Sequence, residues 1–255
     1  MGSRDSFSGI LARKLYPEAE ITYLDSNSEL IDKAAEGERV LVAVENSIDG
    51  MVGESIRRIR KRENVFVTME VHYPINLCLG GMENSKEEKL EEVYSHPKAL
   101  GQCSEYLERL GANKIPTKST TEAIGMVKKL ENPRAGVIAP KEAIEKNGLK
   151  VLKEGVQDEK NNYTIFWELS SRKGKGRCTA LIVDLIDKPG ALYEFLKPFA
   201  RKRINLYAIH SWPENGKYWF LVKVRCSNEE IPWKELERKA EKIRDLGSYF
   251  IKSFL

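Results

Sequence analysis

Small polar residues gather at three points where the residue pattern turns from strand to helix. Ser6-Phe7-Ser8 precedes a helical stretch, Asn46-Ser47 follows a strand-like run, and Ser119-Thr120-Thr121 heads another helix. Ser, Thr and Asn routinely cap helices by accepting from the free N–H groups of the first turn. The same residues suit a second task. Where helix N-termini converge at the carboxyl ends of parallel strands, unpaired N–H groups and the helix dipole both favour an anion. Other chemistries find less support. His72, His96 and His210 lack acidic or cysteine partners at ligand spacing, so no metal is expected. The chain has no GxSxG elbow, Walker loop or Gly-x-Gly-x-x-Gly. Cys78, Cys103, Cys178 and Cys226 stand far apart with no CxxC pair, the pattern of reduced thiols in a cytoplasm.

The elements that must position these residues read as two regions. Short apolar runs rich in β-branched residues at 20–25, 39–45, 65–71 and 135–140 predict strands. Helical spacing covers 29–36, 53–62, 97–110 and 121–130. This alternation predicts parallel sheets flanked by helices. The apolar stretch 73–79 follows a strand with no helix between, as expected of a crossing between sheets, which makes two α/β lobes. A charged, glycine-containing run at 170–177 reads as a linker. Beyond it come a strand at 178–186, a helix at 190–203, strands at 204–209 and 217–225 around an Asn215-Gly216 turn, a helix at 231–246 and a strand at 248–254. That βαββαβ order predicts a ferredoxin-like sandwich.

Composition narrows the function classes. The chain has 255 residues, 41% hydrophobic and 31% charged, as a soluble globular protein would. Its net charge of 42 − 38 = +4 is weak and dispersed, so no nucleic-acid partner is expected. No apolar run reaches membrane-spanning length and no signal-type segment opens the chain, so a cytoplasmic protein with no membrane partner is expected. Gln102 and Gln157 are the only glutamines among abundant Lys, Arg and Glu, a bias of proteins from hot environments.

Longer strings carry a resemblance. Glu45-Asn46-Ser47-Ile48-Asp49-Gly50 resembles the Glu-Asn-Ser-x-x-Gly segment of prephenate dehydratases. Ser95-His96-Pro97-Lys98-Ala99-Leu100-Gly101-Gln102-Cys103 is similar to their Ser-His-Pro-Gln-Ala-Leu-x-Gln-Cys segment. Asn162-Tyr163-Thr164-Ile165-Phe166 resembles their Asn-x-Thr-Arg-Phe strand, and Gly190-Ala191-Leu192-Tyr193 the Gly-Ala-Leu-Val motif of ACT domains. The resemblance implies an α/β fold: a two-lobed, periplasmic-binding-protein-like catalytic domain over 1–171, then a ferredoxin-like βαββαβ ACT domain over 177–255. It implies conversion of prephenate to phenylpyruvate, carbon dioxide and water. Thr164 takes the catalytic hydroxyl role, and Asn46 and Gln102 line the cleft. Ser6, Ser8, Ser47, His96, Ser119, Thr120 and Thr121 are the expected substrate contacts. L-phenylalanine is the expected effector, near Gly190, Ala191, Leu192, Asn205, Leu206 and Ser211 of an ACT domain paired in a homodimer or homotetramer. No cofactor is expected, because the electrons released by decarboxylation expel the ring hydroxyl as the ring becomes aromatic.

Four positions depart from the family pattern. The family's apolar strand ahead of its Gly-x-x-Gly-Thr-Phe-Ser loop has no counterpart before Gly2–Ser8, and a lobe without that strand is expected to expose a sheet edge. Asp5 stands for the second glycine of the loop, and Ile165 for the arginine of Thr-Arg-Phe. His210-Ser211-Trp212-Pro213 stands for Glu-Ser-Arg-Pro. Three rival readings remain: an arogenate dehydratase, a catalytically degenerate amino-acid sensor of the same fold, and an exported solute-binding protein, which would need a signal peptide.

Overall fold

Buried and half-buried residues alternate along Val40–Asn46, so Val40, Val42 and Val44 share a core face and the segment forms a strand, β1. In the computed structural model, which describes residues 3–255, β1 belongs to a first lobe with α1 (Phe7–Leu15), α2 (Asn27–Ala35), β2 (Gly50–Met51), α3 (Gly53–Arg60) and β3 (Phe66–Pro74). The chain then crosses, as 73–79 predicts, into a second lobe. This holds β4 (Leu77–Gly81), β5 (Glu92–Ser95), α4 (Pro97–Gly101), α5 (Ser104–Leu110), β6 (Asn113–Pro116), α6 (Thr120–Leu130), β7 (Ala135–Pro140), α7 (Lys141–Lys146) and β8 (Lys150–Lys153). It returns through β9 (Tyr163–Ser170). The C-terminal part adds β10 (Cys178–Asp184), α8 (Ala191–Arg201), β11 (Leu206–Glu214), β12 (Lys217–Val224), α9 (Trp233–Glu237) and β13 (Lys242–Ser253). Gly2 of the expected N-terminal loop lies outside the described residues.

The sheets are mixed rather than parallel. The second lobe orders its strands β6-β5-β7-β4-β8, with β5 parallel to β6 and β7 and the β4 pairings antiparallel. The other sheet runs β11-β12-β10-β13-β3-β9-β1-β2, so the ferredoxin-like strands and the first lobe form one continuous sheet. Their junction is β13 against β3, parallel, with Phe250 opposite Met69 and Ser253 opposite His72. The helix expected over 231–246 is accordingly cut to Trp233–Glu237. Residues from 242 onward are drawn into β13 by pairing with β10. Arg244 seals that choice, for its guanidinium donates to the carbonyls of Ile59, Arg62 and Val65, taking up acceptors at the end of α3. One core cluster spans the junction, with Val42, Ile56, Ile165 and Trp167 from the first lobe packed with Ile182, Trp219, Leu246 and Tyr249. The expected linker crosses β13 closely. A Cβ on Gly176 would sit 2.0 Å from the Tyr249 carbonyl carbon, so only glycine passes there. The Asn215-Gly216 turn forms as expected, both residues at positive φ (52° and 77°).

The strand expected at 20–25 does not form. Beside β1, β9 covers one edge, while β2 meets only Glu45 and Asn46 on the other. Among the described residues no strand therefore pairs with the outer edge of Val40–Ala43, and residues 21–24 are separated from it by a cavity of about 500 Å³. Ala12, Tyr16, Leu30 and Glu168 also line it. The Glu168 carboxyl is 6% exposed and accepts from Thr68 Oγ1 at 2.5 Å, but its Oε2 has no partner. Burial pushes its pKa from 4.5 up to about 7. The folded state then holds a proton that the unfolded chain has released, so stability falls as pH rises through that window. Glu168→Gln is expected to melt higher than the native protein at pH 8, with the gap closing below about pH 4.5. Equal melting temperatures at pH 8 would show that the carboxylate is solvated.

Candidate active site

Asn46 ends β1 directly opposite Thr164 of β9 and is 4% exposed. Its Oδ1 accepts from the N–H groups of Ile48 and Asp49, both at 3.1 Å, which turns the chain immediately after the strand. Its Nδ2 lies 2.8 Å from Asn162 Oδ1, 2.9 Å from the Tyr163 carbonyl and 3.1 Å from Thr164 Oγ1. An amide nitrogen can only donate, so Thr164 Oγ1 is the acceptor and its own proton must point elsewhere. Among the described residues no histidine or carboxylate lies within hydrogen-bond reach of that hydroxyl. The neighbouring Ser47 is a staple: its N–H donates to the Tyr163 carbonyl (2.9 Å), and its Oγ accepts from the Tyr163 N–H (3.0 Å). Asn162, 3% exposed, belongs to the same cluster, and its Nδ2 has no partner.

The crossing strands attach this cluster to the second lobe. Ile75 N–H donates to the Asn162 carbonyl at 2.9 Å, while Gln157 Oε1 accepts from Leu77 N–H at 3.0 Å. On the second lobe, His96 caps α4, its Nδ1 accepting from Lys98 N–H at 3.2 Å. Gln102 closes the same helix, its carbonyl accepting from Asp158 N–H at 2.8 Å. Neither side chain hydrogen-bonds to Thr164 or Asn46. An ion pair crosses between the lobes here, Lys98 Nζ lying 2.7 Å from Asp49 Oδ2. That bridge sets a cation from α4 beside the turn that follows Asn46.

The remaining junction residues form a second group. Ser6 caps α1, accepting from Gly9 N–H at 3.3 Å, and meets Ser8 Oγ at 3.0 Å. Ser119 caps α6 by accepting from Glu122 N–H at 3.1 Å. Half-buried Thr120 follows it, and Thr121 Oγ1 donates to the buried Asp5 at 3.2 Å, tying the N-terminal loop to the second lobe. Capping thus accounts for Ser6, His96 and Ser119. Asp5 is not among the residues at positive φ, so its replacement of glycine strains nothing.

Ile165 points away from Thr164, as alternation along a strand requires, and lies 6% exposed in the core cluster. Opposite it on β1 stands the half-buried Glu45, which also acts on His210 of β11. Burial holds that imidazole below its ordinary value while Glu45 pulls it upward. The expected effector residues split. Leu206 shares a row with Val224 and Thr179, whereas Trp212 shares one with Trp219 and Asp184. Five residue steps along β10, from Thr179 to Asp184, separate those rows, about 17 Å at 3.3 Å per residue. Asn205 and Leu206 therefore sit at one end of the domain, with Gly190, Ala191 and Leu192 beyond Asp184 at the other and Ser211 nearer the latter. Gly190 adopts φ 81° ahead of α8, a conformation glycine favours.

Neither Asn162 nor Lys98 is among the site residues expected from the sequence. Its polar type and its place two residues before Thr164 were the available signals for Asn162. All four cysteines are buried and free, and burial raises their pKa values, Cys103 to about 12.

The family model for prephenate dehydratase matches residues 1–174. A prephenate dehydratase of Lactococcus lactis subsp. lactis is 33% identical, covering 99% of this chain and 97% of that one. Among solved structures, the prephenate dehydratase of Arthrobacter aurescens in complex with L-Phe superposes with a TM-score of 0.84 at 24% identity, covering 98% of this chain and 88% of that chain. A structure described as a novel type of quorum quenching acylase gives 0.83 at 25% identity, covering 97% and 95%.

Proposed function

We infer the reaction from one premise: the chain belongs to the prephenate dehydratase family. It converts prephenate to phenylpyruvate, carbon dioxide and water in phenylalanine biosynthesis. The observation that carries this reading is the orientation of Thr164, whose oxygen is occupied by Asn46 and whose proton is left to donate. In prephenate the ring carboxylate leaves as carbon dioxide, its bonding electrons pass through the ring, and the hydroxyl on the far carbon departs with one proton as water. The ring becomes aromatic, which drives the step. The site must hold two carboxylates and hydrogen-bond the departing oxygen, tasks of positioning and preorganised electrostatics. Thr164 supplies the hydrogen bond, Asn46 fixes its rotamer, Gln102 at the end of α4 is assigned to the substrate, and Lys98 is the cation for a substrate carboxylate. Acyl transfer finds no support here, for Thr164 lacks the adjacent base that would make it a nucleophile.

The test is direct. Purified protein given prephenate is expected to form phenylpyruvate, read by absorbance in base; no product would overturn the reading. Product from arogenate alone would move the assignment to the amino analogue.

Residues 1–171 carry catalysis in this reading, residues 177–255 act as an ACT domain, and the protein works in the cytoplasm. The effector is L-phenylalanine. Gly190–Leu192 and Asn205–Leu206 stand too far apart in one chain to hold one amino acid, so the site takes the first group from one copy and the second from another. Sedimentation of the full chain at micromolar concentration is expected to give at least a dimer, and calorimetry to give heat with L-phenylalanine. A monomer that binds none would defeat this part. Full-length protein is required, because removing residues from 177 onward strips β13 from β3 and opens the shared core.

A further inference from the structure

Glu70 of β3 is fully buried, and three side chains from three strands, its own included, converge on its carboxylate. Trp167 Nε1–H of β9 donates to Oε2 at 2.8 Å. Lys223 Nζ, from β12 of the C-terminal part, lies 2.7 Å from the same oxygen. His72 Nε2 is 2.9 Å from Oε1. Burial opposes the charge on Glu70, but the bonds from His72, Lys223 and Trp167 outweigh it and hold the group below its ordinary value. With Glu70 ionised, His72 Nε2 carries the proton of that bond. Lys223 is itself 2% exposed, its ammonium over the rings of Tyr207 (4.9 Å) and Trp167 (5.8 Å). Neither charge can turn to water if the other withdraws, so this pair joins the two halves of the sheet as a unit.

The network ends at the reacting group. The His72 ring, held by Glu70, stacks on Tyr163 with centroids 6.1 Å apart and planes 18° from parallel. Tyr163 immediately precedes Thr164; its carbonyl accepts from Asn46 Nδ2 and Ser47 N–H, and its own N–H donates to Ser47 Oγ. We infer that Glu70 and His72 are positioning residues for Thr164, and that Lys223 makes their setting depend on how the C-terminal domain is seated. A shift of β12 would loosen Glu70, free the His72 ring, and so unsettle the Tyr163 backbone that holds Thr164 in register with Asn46. The link is direct contact throughout, running from β12 through β3 to the start of β9.

The kinetic part rests on the dehydratase reading; the structural part does not. The test compares native protein with Lys223→Met, a straight-chain residue without charge. Lys242→Met serves as the control, because Lys242 pairs at 3.0 Å with Glu63 on the exposed side of the same junction. Hydrogen exchange is followed in peptides covering 161–166, together with kcat, KM and melting temperature. Lys223→Met is expected to speed exchange at 161–166 about tenfold, leave the second lobe's peptides unchanged, and lower kcat at least fivefold with KM within twofold. Lys242→Met is expected to do neither. If Lys223→Met fails to fold, the pair Glu70→Gln with Lys223→Met, which buries no charge, takes its place with the same exchange expected. Unchanged exchange at 161–166, or a rise spread evenly over the chain, would overturn the inference and leave the pair a structural clamp. Native protein that does not turn over prephenate would sink the dehydratase reading alone, since the exchange result still decides the coupling.

Discussion

Thr164→Val is expected to lower kcat by about 10²–10³, the usual cost of one preorganised donor to a developing oxyanion, while the protein stays folded. Valine fills nearly the same volume and keeps the β-branched shape that the strand accepts. What it removes is the hydroxyl whose oxygen Asn46 holds at 3.1 Å. Asn46 Nδ2 retains Asn162 Oδ1 and the Tyr163 carbonyl as acceptors, so the change leaves no buried donor bare. The expected stability change is within about 1 kcal/mol. Thr164→Ser keeps the donor and should preserve most of the turnover. Near-native kcat for Thr164→Val at saturating prephenate would remove Thr164 from the chemistry, and the leaving oxygen would need another donor.

Ile165→Arg carries the second large effect, and it falls on stability. Ile165 lies 6% exposed among Val42, Val44, Trp167 and Leu169 in the cluster shared by the first lobe and the C-terminal strands. A guanidinium there must be desolvated or must force the core apart, at about 2–4 kcal/mol. Ile165→Met, which roughly conserves volume, should cost less than about 1.5 kcal/mol. Melting curves of the two variants, read beside kcat/KM, decide the matter. Glu45 is the one outlet, since it stands opposite Ile165 and is half-buried. An arginine that reached Glu45 without loss of melting temperature, and that raised kcat/KM tenfold, would show the native protein to be an impaired catalyst. The structure favours the other outcome. Ile165 faces away from Thr164, so on the dehydratase reading a substrate carboxylate is met by another cation, and Lys98, paired with Asp49 on the turn after Asn46, is the candidate.

Much of this was legible in the sequence because it depends on local rules. The crossing at 73–79, the helices after Ser6, Ser119 and His96, and the Asn215-Gly216 turn follow from periodicity, capping and turn chemistry, each acting within a few residues. The alternation along 163–170 already sends Thr164 and Ile165 to opposite faces. The errors fall where distant segments overrule local preference. Residues 20–25 have strand composition, but a strand needs a neighbour, and β1 does not reach them. Residues 242–246 have helical composition, yet pairing with β10 and the carbonyls that Arg244 meets at and after the end of α3 hold them extended. Composition shows a linker at 170–177 but cannot show that β13 will extend the first lobe's sheet.

The site divides in the same way. Residue type and order by themselves determined that Thr164, Asn46 and the Ser95–Cys103 segment belong to one family of sites, since those strings are specific. Only the tertiary structure decided their contacts. It placed Asn46 and Thr164 side by side across 118 positions of chain, turned His96 and Ser119 to the first turns of their own helices and Ser47 to the Tyr163 backbone of β9, and split the expected effector residues between two ends of a domain. It also buried Glu70, Lys223 and Trp167 around one carboxylate. A hydrogen bond depends on register and distance, and these are properties of strand pairing that no short stretch of residues contains.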